Sequence, residues 1–134
     1  MTDGPRVGIV LVSHSAALAA GTAELAGQVS GGAVSIVPAG GTDDGRLGTS
    51  IDKVREALAA ADSGAGVVIL PDLGSSVLTV RALLAGDDQL PEPLAVADAP
   101  FVEGAVAATI AAAVGADCKA VAGAAEEARN ARKL

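Results

Sequence analysis

With 134 residues the chain is the size of one domain and long enough to bury a core. A net charge of -7 and a single aromatic residue, Phe101, argue against nucleic acid, which needs a basic stripe, and against flavin, sugar or single-strand recognition, which needs stacking platforms. Hydrophobic residues make up 51% of the chain, with the excess in Ala and Val beside 17 glycines, so helices can lie close to a sheet without bulky side chains.

The N-terminal Met1-Thr2-Asp3-Gly4-Pro5 has no basic region feeding an apolar core and does not read as a signal peptide. Strand 1 is expected over Val7 to Val12, and an Ala-rich helical pattern from Ala16 to Val29, with Leu18, Thr22, Leu25 and Val29 as its core stripe. Strand 2 is expected over Val34 to Pro38, followed by a long Gly-rich loop, residues 40–50, and a helix whose core stripe is Ile51, Val54 and Leu58. Strand 3 is expected over Gly66 to Leu70; helix 3 opens at Gly74-Ser75-Ser76 and carries Val77, Val80 and Leu84 inward. Strand 4 lies at about Pro93 to Ala97, and a fourth helix follows Gly104 to about Val114. The Ala105 to Val114 stretch is too short to span a bilayer. A fifth helix starts at Asp117, a good N-cap, and runs to about Ala131. Cys118 stands alone, so no internal disulfide or cysteine-based zinc site can form, and a reducing cytoplasm is the natural setting.

Alternation of apolar runs with helix-period segments implies an α/β fold: one domain over residues 1–134, with an open, mainly parallel sheet and helices on both faces. Strands 1 and 3 are continuous Val/Ile/Leu, as strands covered on both faces should be. In such sheets ligands collect beyond the carboxyl ends of the strands, where each following helix presents unpaired N–H groups. That edge carries the only histidine, His14, in Val12-Ser13-His14-Ser15. Neutral imidazole near pH 7 is a nucleophile able to carry phosphate; the plainer reading is a residue that caps helix 1. Asp72, after strand 3, is placed to accept Nδ1–H of His14 and leave Nε2 outward, or else to cap helix 3. Gly74, Ser75 and Ser76 either hold phosphoryl oxygens or cap the helix, and the loop glycines either support the site or serve turn geometry. Asp43, Asp44, Asp72 and Glu103 are the carboxylates available to Mg²⁺, but the first two read as a solvated turn, and no metal site is expected. Nucleotide loops of the Gly-x-x-x-x-Gly-Lys or Gly-x-Gly-x-x-Gly kind and the Gly-x-Ser-x-Gly elbow of hydrolases are absent.

Val12-Ser13-His14-Ser15, Gly41-Thr42-Asp43-Asp44 leading to Gly48-Thr49-Ser50, Asp72-Leu73-Gly74-Ser75 and Ala99-Pro100-Phe101-Val102-Glu103-Gly104-Ala105 together resemble the phosphotransferase subunit of bacterial phosphoenolpyruvate-dependent dihydroxyacetone kinase, of the mannose-type IIA (EIIA) family. The resemblance covers nearly the whole chain. It implies sheet order 2-1-3-4 and a phosphoryl carrier whose histidine, here His14, takes phosphate from the phosphocarrier protein HPr and passes it to ADP held on the nucleotide-binding kinase subunit. By the same resemblance Asp72 orients the ring, and Gly41, Thr42, Gly48, Thr49, Gly74 and Ser75 form the surrounding loops. No cofactor is expected on this chain, since ADP or ATP and Mg²⁺ belong to the partner. The relatives imply a cytoplasmic homodimer without membrane or nucleic-acid partners. Fused HPr-like and enzyme I-like domains, present in some members, are expected here on separate proteins.

The alternatives are a IIA component of a mannose-class sugar permease, a receiver domain phosphorylated on Asp72, and a flavodoxin-like module with a structural His14. A receiver also needs acidic residues after strand 1 and a late lysine, where this chain has Ser13-His14 and Phe101-Val102.

Overall fold

The computed structural model describes residues 4–46, 48–86 and 89–134. Its elements are β1 (Gly8–Ser13), α1 (Ala16–Ser30), β2 (Ile36–Gly40), α2 (Ile51–Ala61), β3 (Val67–Pro71), α3 (Gly74–Gly86), β4 (Leu94–Val96), α4 (Phe101–Ala113) and α5 (Cys118–Glu127), closed by a 3-10 turn, Ala128–Asn130. The strands form one sheet of order β2-β1-β3-β4, parallel at every pairing. Parallel strands need crossovers, and the helices supply them on both faces.

Alternate side chains of the two central strands feed two cores. Ile9, Leu11, Val68 and Leu70 pack with Ala26 of α1, Ala105, Ala108 and Ala112 of α4, and Val121 and Ala125 of α5. Val10, Val12, Val67 and Ile69 pack on the opposite face with Val54, Ala57 and Leu58 of α2 and Val80 and Leu83 of α3. Each large side chain buried here contributes roughly 1.5–3 kcal/mol of transfer free energy, so β1 and β3 are the fixed frame on which the carboxyl edge is built. Among the described residues no helix is long and apolar enough to cross a membrane.

Local chemistry sets the helix starts. The side chains of Ser15, Ser50 and Asp117 accept from the backbone N–H of Leu18, Lys53 and Ala120, each satisfying an otherwise unpaired donor. α1 stops at Gly31, whose φ of 73° is the left-handed conformation that glycine reaches without strain.

Three expectations are corrected. The core stripe of α1 is Ala19, Thr22 and Ala26, while Leu18, Leu25 and Val29 are exposed. Small residues let the helix approach the sheet, and that contact outweighs hydrophobicity in choosing the buried face. α4 begins at Phe101, after Pro100, so Gly104 lies inside it. A Cβ on Gly104 would stand 3.2 Å from Leu70 Cδ2 and 3.0 Å from Ala99 Cβ, so this glycine serves close packing and does not end a loop. Finally, β2 runs two residues later than expected.

The exposed edge of the sheet at β2 has a specific construction. Ile9 N–H donates to Ser35 C=O and Gly41 N–H to Ser13 C=O, so the residues at 35, 37, 39 and 41 face β1 and those at 36, 38 and 40 face outward. Pro38 therefore puts a nitrogen without hydrogen on the open edge, and the outward carbonyl of Gly40 is taken by Lys53 Nζ at 3.2 Å.

Candidate functional site

β1 and β3 are adjacent and in register, Val12 opposite Pro71, so the residues that follow them meet at the carboxyl edge. Asp72 N–H donates to Val12 C=O at 2.9 Å, which fixes the carboxylate's backbone against β1. His14 Nδ1 lies 3.1 Å from Asp72 Oδ1. An ionised carboxylate only accepts, so Nδ1 carries the hydrogen and Nε2 presents its lone pair outward. Ser75 Oγ stands against Nε2. The N-cap of α1 is Ser15 and not His14, which leaves the imidazole, 23% exposed, without a capping duty.

Asp72 is the hub. Oδ1 accepts from His14 Nδ1, from Leu73 N–H at 2.7 Å and from Ser76 Oγ at 2.7 Å; Oδ2 accepts from Ser13 Oγ at 2.8 Å and His14 N–H at 3.1 Å. Burial pushes this carboxyl up, but the hydrogen bonds from Ser76, Ser13 and His14 outweigh it and hold the pKa at about 2. A carboxylate with an 8% exposed side chain thus stays charged at any ordinary pH, aimed at the ring. The bond from Leu73 N–H comes from the adjacent residue, not from an amide two or three residues on as in a helix cap.

Ser75 and Ser76 separate by one helical step into different surroundings. Ser76 is fully buried, its hydroxyl on Asp72 and 3.2 Å from Nδ1, so it belongs to the support behind the ring. Ser75 is exposed on the nucleophilic side. Gly74 opens α3 in open space.

The loop after β2 holds His14 by its main chain. Gly41 N–H donates to Ser13 C=O at 3.1 Å and Gly48 N–H to His14 C=O at 2.9 Å. Gly48 has φ 135°, and a Cβ there would stand 2.8 Å from Thr42 Cγ2, so a side chain is doubly excluded. Thr42 Oγ1 donates to Asp44 Oδ1 and accepts from Arg46 N–H at 3.1 Å, bonds internal to the loop. Thr49 Oγ1 is 2.5 Å from Thr79 Oγ1, tying the loop's end to α3.

The four carboxylates considered for a cation sit in separate settings: Asp43 accepts from Ser50 Oγ, Asp44 pairs with Arg46, Glu103 with Lys133, and Asp72 with His14. Sequence reasoning missed Ser13 as a site residue. Its signal was a hydroxyl ending an otherwise wholly aliphatic strand; fully buried, it donates to Asp72 and accepts from Ser15 N–H at 3.0 Å.

Comparison with known proteins shows the family. Residues 8–122 match the EIIA-man family model, described as PTS system fructose IIA component. A phosphoryl donor subunit DhaM of PEP-dependent dihydroxyacetone kinase 2 from Listeria innocua is 38% identical over 105 residues, 78% of this chain and 84% of that protein. The corresponding DhaM of Escherichia coli K12 is 38% identical over 117 residues, 83% of this chain but only 24% of that much longer protein. The crystal structure of EF1359, a protein of unknown function, superposes with a TM-score of 0.77 at 34% identity over 97% of this chain and 98% of its own. The chain therefore belongs to the EIIA-man family of phosphotransferase-system IIA components, with DhaM phosphoryl donor subunits among its relatives.

Proposed function

We propose that this chain is the cytoplasmic phosphoryl carrier of a phosphoenolpyruvate-dependent dihydroxyacetone kinase, and that His14 carries the phosphate. The observation that supports it most is the orientation of the ring: Nδ1 is held by an ionised, five-fold hydrogen-bonded Asp72, and Nε2 faces outward among small uncharged donors. In the first step the Nε2 lone pair attacks phosphorus on phosphorylated HPr. The donor's P–N bond breaks, its nitrogen leaves with the electron pair, and His14 becomes an N-phosphorylated imidazolium, neutralised by Asp72. In the second step a β-phosphate oxygen of ADP, held with Mg²⁺ on the nucleotide-binding kinase subunit, attacks the same phosphorus. The Nε2–P bond breaks and ATP forms, while the ring recovers its lone pair. Ser75 and the N-terminal N–H groups of α3 hold the phosphoryl oxygens without a fixed cation that would trap them.

The test is transfer of labelled phosphate. Phosphoenolpyruvate, enzyme I and HPr should add one acid-labile, base-stable phosphate; it should remain in the presence of free ADP and leave only for the ADP-loaded kinase subunit. Transfer to a mannose-class IIB protein, and none to the kinase subunit, would make the sugar-permease role correct. Phosphate on Asp72 would make the chain a receiver. The reading includes a homodimer, supported by the exposed Leu18, Leu25 and Val29 on α1 and checked by sedimentation at micromolar concentration.

A further inference from the structure

Thr79 lies in the second turn of α3, half-buried, with its hydroxyl shared between two neighbours. Its Oγ1 donates to the carbonyl of Ser75, one turn back, at 3.2 Å. A hydroxyl has one hydrogen to give, so the 2.5 Å contact between Thr79 Oγ1 and Thr49 Oγ1 has Thr49 as its donor. Thr49 directly follows Gly48, whose N–H donates to His14 C=O at 2.9 Å. Ser75, at the other end of the chain of bonds, stands with Oγ against His14 Nε2. The contacts close a ring that leaves His14 by its main chain and returns to it at the nucleophilic nitrogen.

We infer that Thr79, braced by Thr49, is a positioning residue that holds Ser75 at Nε2 and so fixes the hydroxyl that meets the phosphoryl oxygens. This rests on the carrier role proposed for His14. Behind the imidazole the first turn of α3 is anchored, since Asp72 accepts from Leu73 N–H and Ser76 Oγ. Ser75 faces away from that anchor and is exposed. The turn also opens at Gly74, the residue type with the most backbone freedom, where an added Cβ would meet nothing within 4 Å. Ser75 and Thr79, four residues apart, share one face of the helix, so a hold on Thr79 is a hold on Ser75. Threonine is otherwise a poor choice there. It is a weaker helix former than alanine, and a hydroxyl turned back on the carbonyl four residues earlier tends to bend the helix. The bond from Thr49 gives that hydroxyl a use, because it needs an acceptor that alanine and valine lack. Placement decides the effect of an uncharged donor such as Ser75, and a displacement of about 1 Å at a reacting centre can cost on the order of a hundredfold in rate.

The experiment follows phosphate uptake by the full chain from phosphorylated HPr and from phosphoramidate, a small phosphoryl donor. The variants are T79V, which keeps the branched shape without the hydroxyl, T79S, which keeps the hydroxyl, S75A, and the S75A/T79V pair; thermal melting of each confirms the fold. T79V should lower kcat about tenfold with both donors and leave the KM for phosphorylated HPr as in wild type. T79S should restore the wild-type rate. S75A should be slowed to a similar degree as T79V, and the double variant should be no slower than S75A, because both substitutions act on one group. Uptake by T79V equal to wild type would overturn the proposal, as would T79S as slow as T79V, since the hydroxyl would then not be what matters. Losses that multiply in the double variant, or S75A without effect, would overturn it too by placing Thr79 outside the path to Ser75. Failure of the wild-type chain to take phosphate from either donor would instead reject the carrier role beneath it.

Discussion

The junctions after β1 and β3 and the loop after β2 lie on the same edge of the sheet, yet their polar atoms are arranged differently. In the first region Ser13, His14, Leu73 and Ser76 all donate to one carboxylate. In the second, Thr42, Asp44 and Arg46 bond to one another, and among the described residues the N–H groups of Gly41 and Gly48 reach the β1 junction, through the main chain. One region fixes the protonation and direction of a ring; the other fixes the path of its backbone. Convergent bonds on a buried charge are cooperative and costly to break, whereas bonds within an exposed loop exchange readily with water.

The sharpest break in that contrast is His14→Ala. Phosphate uptake should vanish by intact mass while the melting temperature moves by no more than a few degrees, since the ring ends a strand at the surface. A variant still phosphorylated would place the carrier atom elsewhere. Asp72→Asn comes next, with transfer slowed on the order of a hundredfold or more, because an amide neither stabilises imidazolium nor enforces the tautomer. The same variant tests stability against pH. A carboxyl at about 2 in the fold, against an ordinary 3.8, contributes on the order of 2 kcal/mol above pH 4. That contribution disappears as the pH falls from about 4 to 2, so urea melts of wild type and variant should differ at pH 6 and converge near pH 2.

Ser13→Ala should cost roughly 1.5–3 kcal/mol, the range for a hydrogen bond to a charged group, and slow transfer several-fold without stopping it, as single-turnover rates will show. The smallest effect on chemistry belongs to the β2 loop. Gly48→Ala should lose about 1–3 kcal/mol from backbone strain but leave transfer within a few-fold of wild type. Transfer collapsing in Gly48→Ala as it does in Asp72→Asn would erase the distinction between the two regions.

Much of this edge was legible in the chain. Val/Ile/Leu runs within Val7 to Val12 and Gly66 to Leu70 identify the two central strands, because strands covered on both faces tolerate such runs. His14 and Asp72, each just past one of them, had to come close once those strands paired. Ser13 was hidden because a strand-terminal serine looks the same in sequence whether it faces solvent or a carboxylate. The inward face of α1 was hidden for a different reason. Periodicity ranks residues by hydrophobicity, and in this helix the closest approach to the sheet is made by Ala19, Thr22 and Ala26, which are small before they are apolar. Gly104 misled in the same way, as a residue chosen for what it lacks.

Pro38 carries a consequence for how copies of this protein can meet. A five-residue edge strand invites another chain to extend the sheet, the route by which β-rich surfaces join into fibres. Here the middle outward position offers no donor, and the last outward carbonyl is already held by Lys53. A visiting strand would find its ladder interrupted at the centre and blocked at the end. Association between copies is thereby steered away from backbone pairing at β2 and left to side chains on the helices, where contacts can form and dissolve without templating further growth.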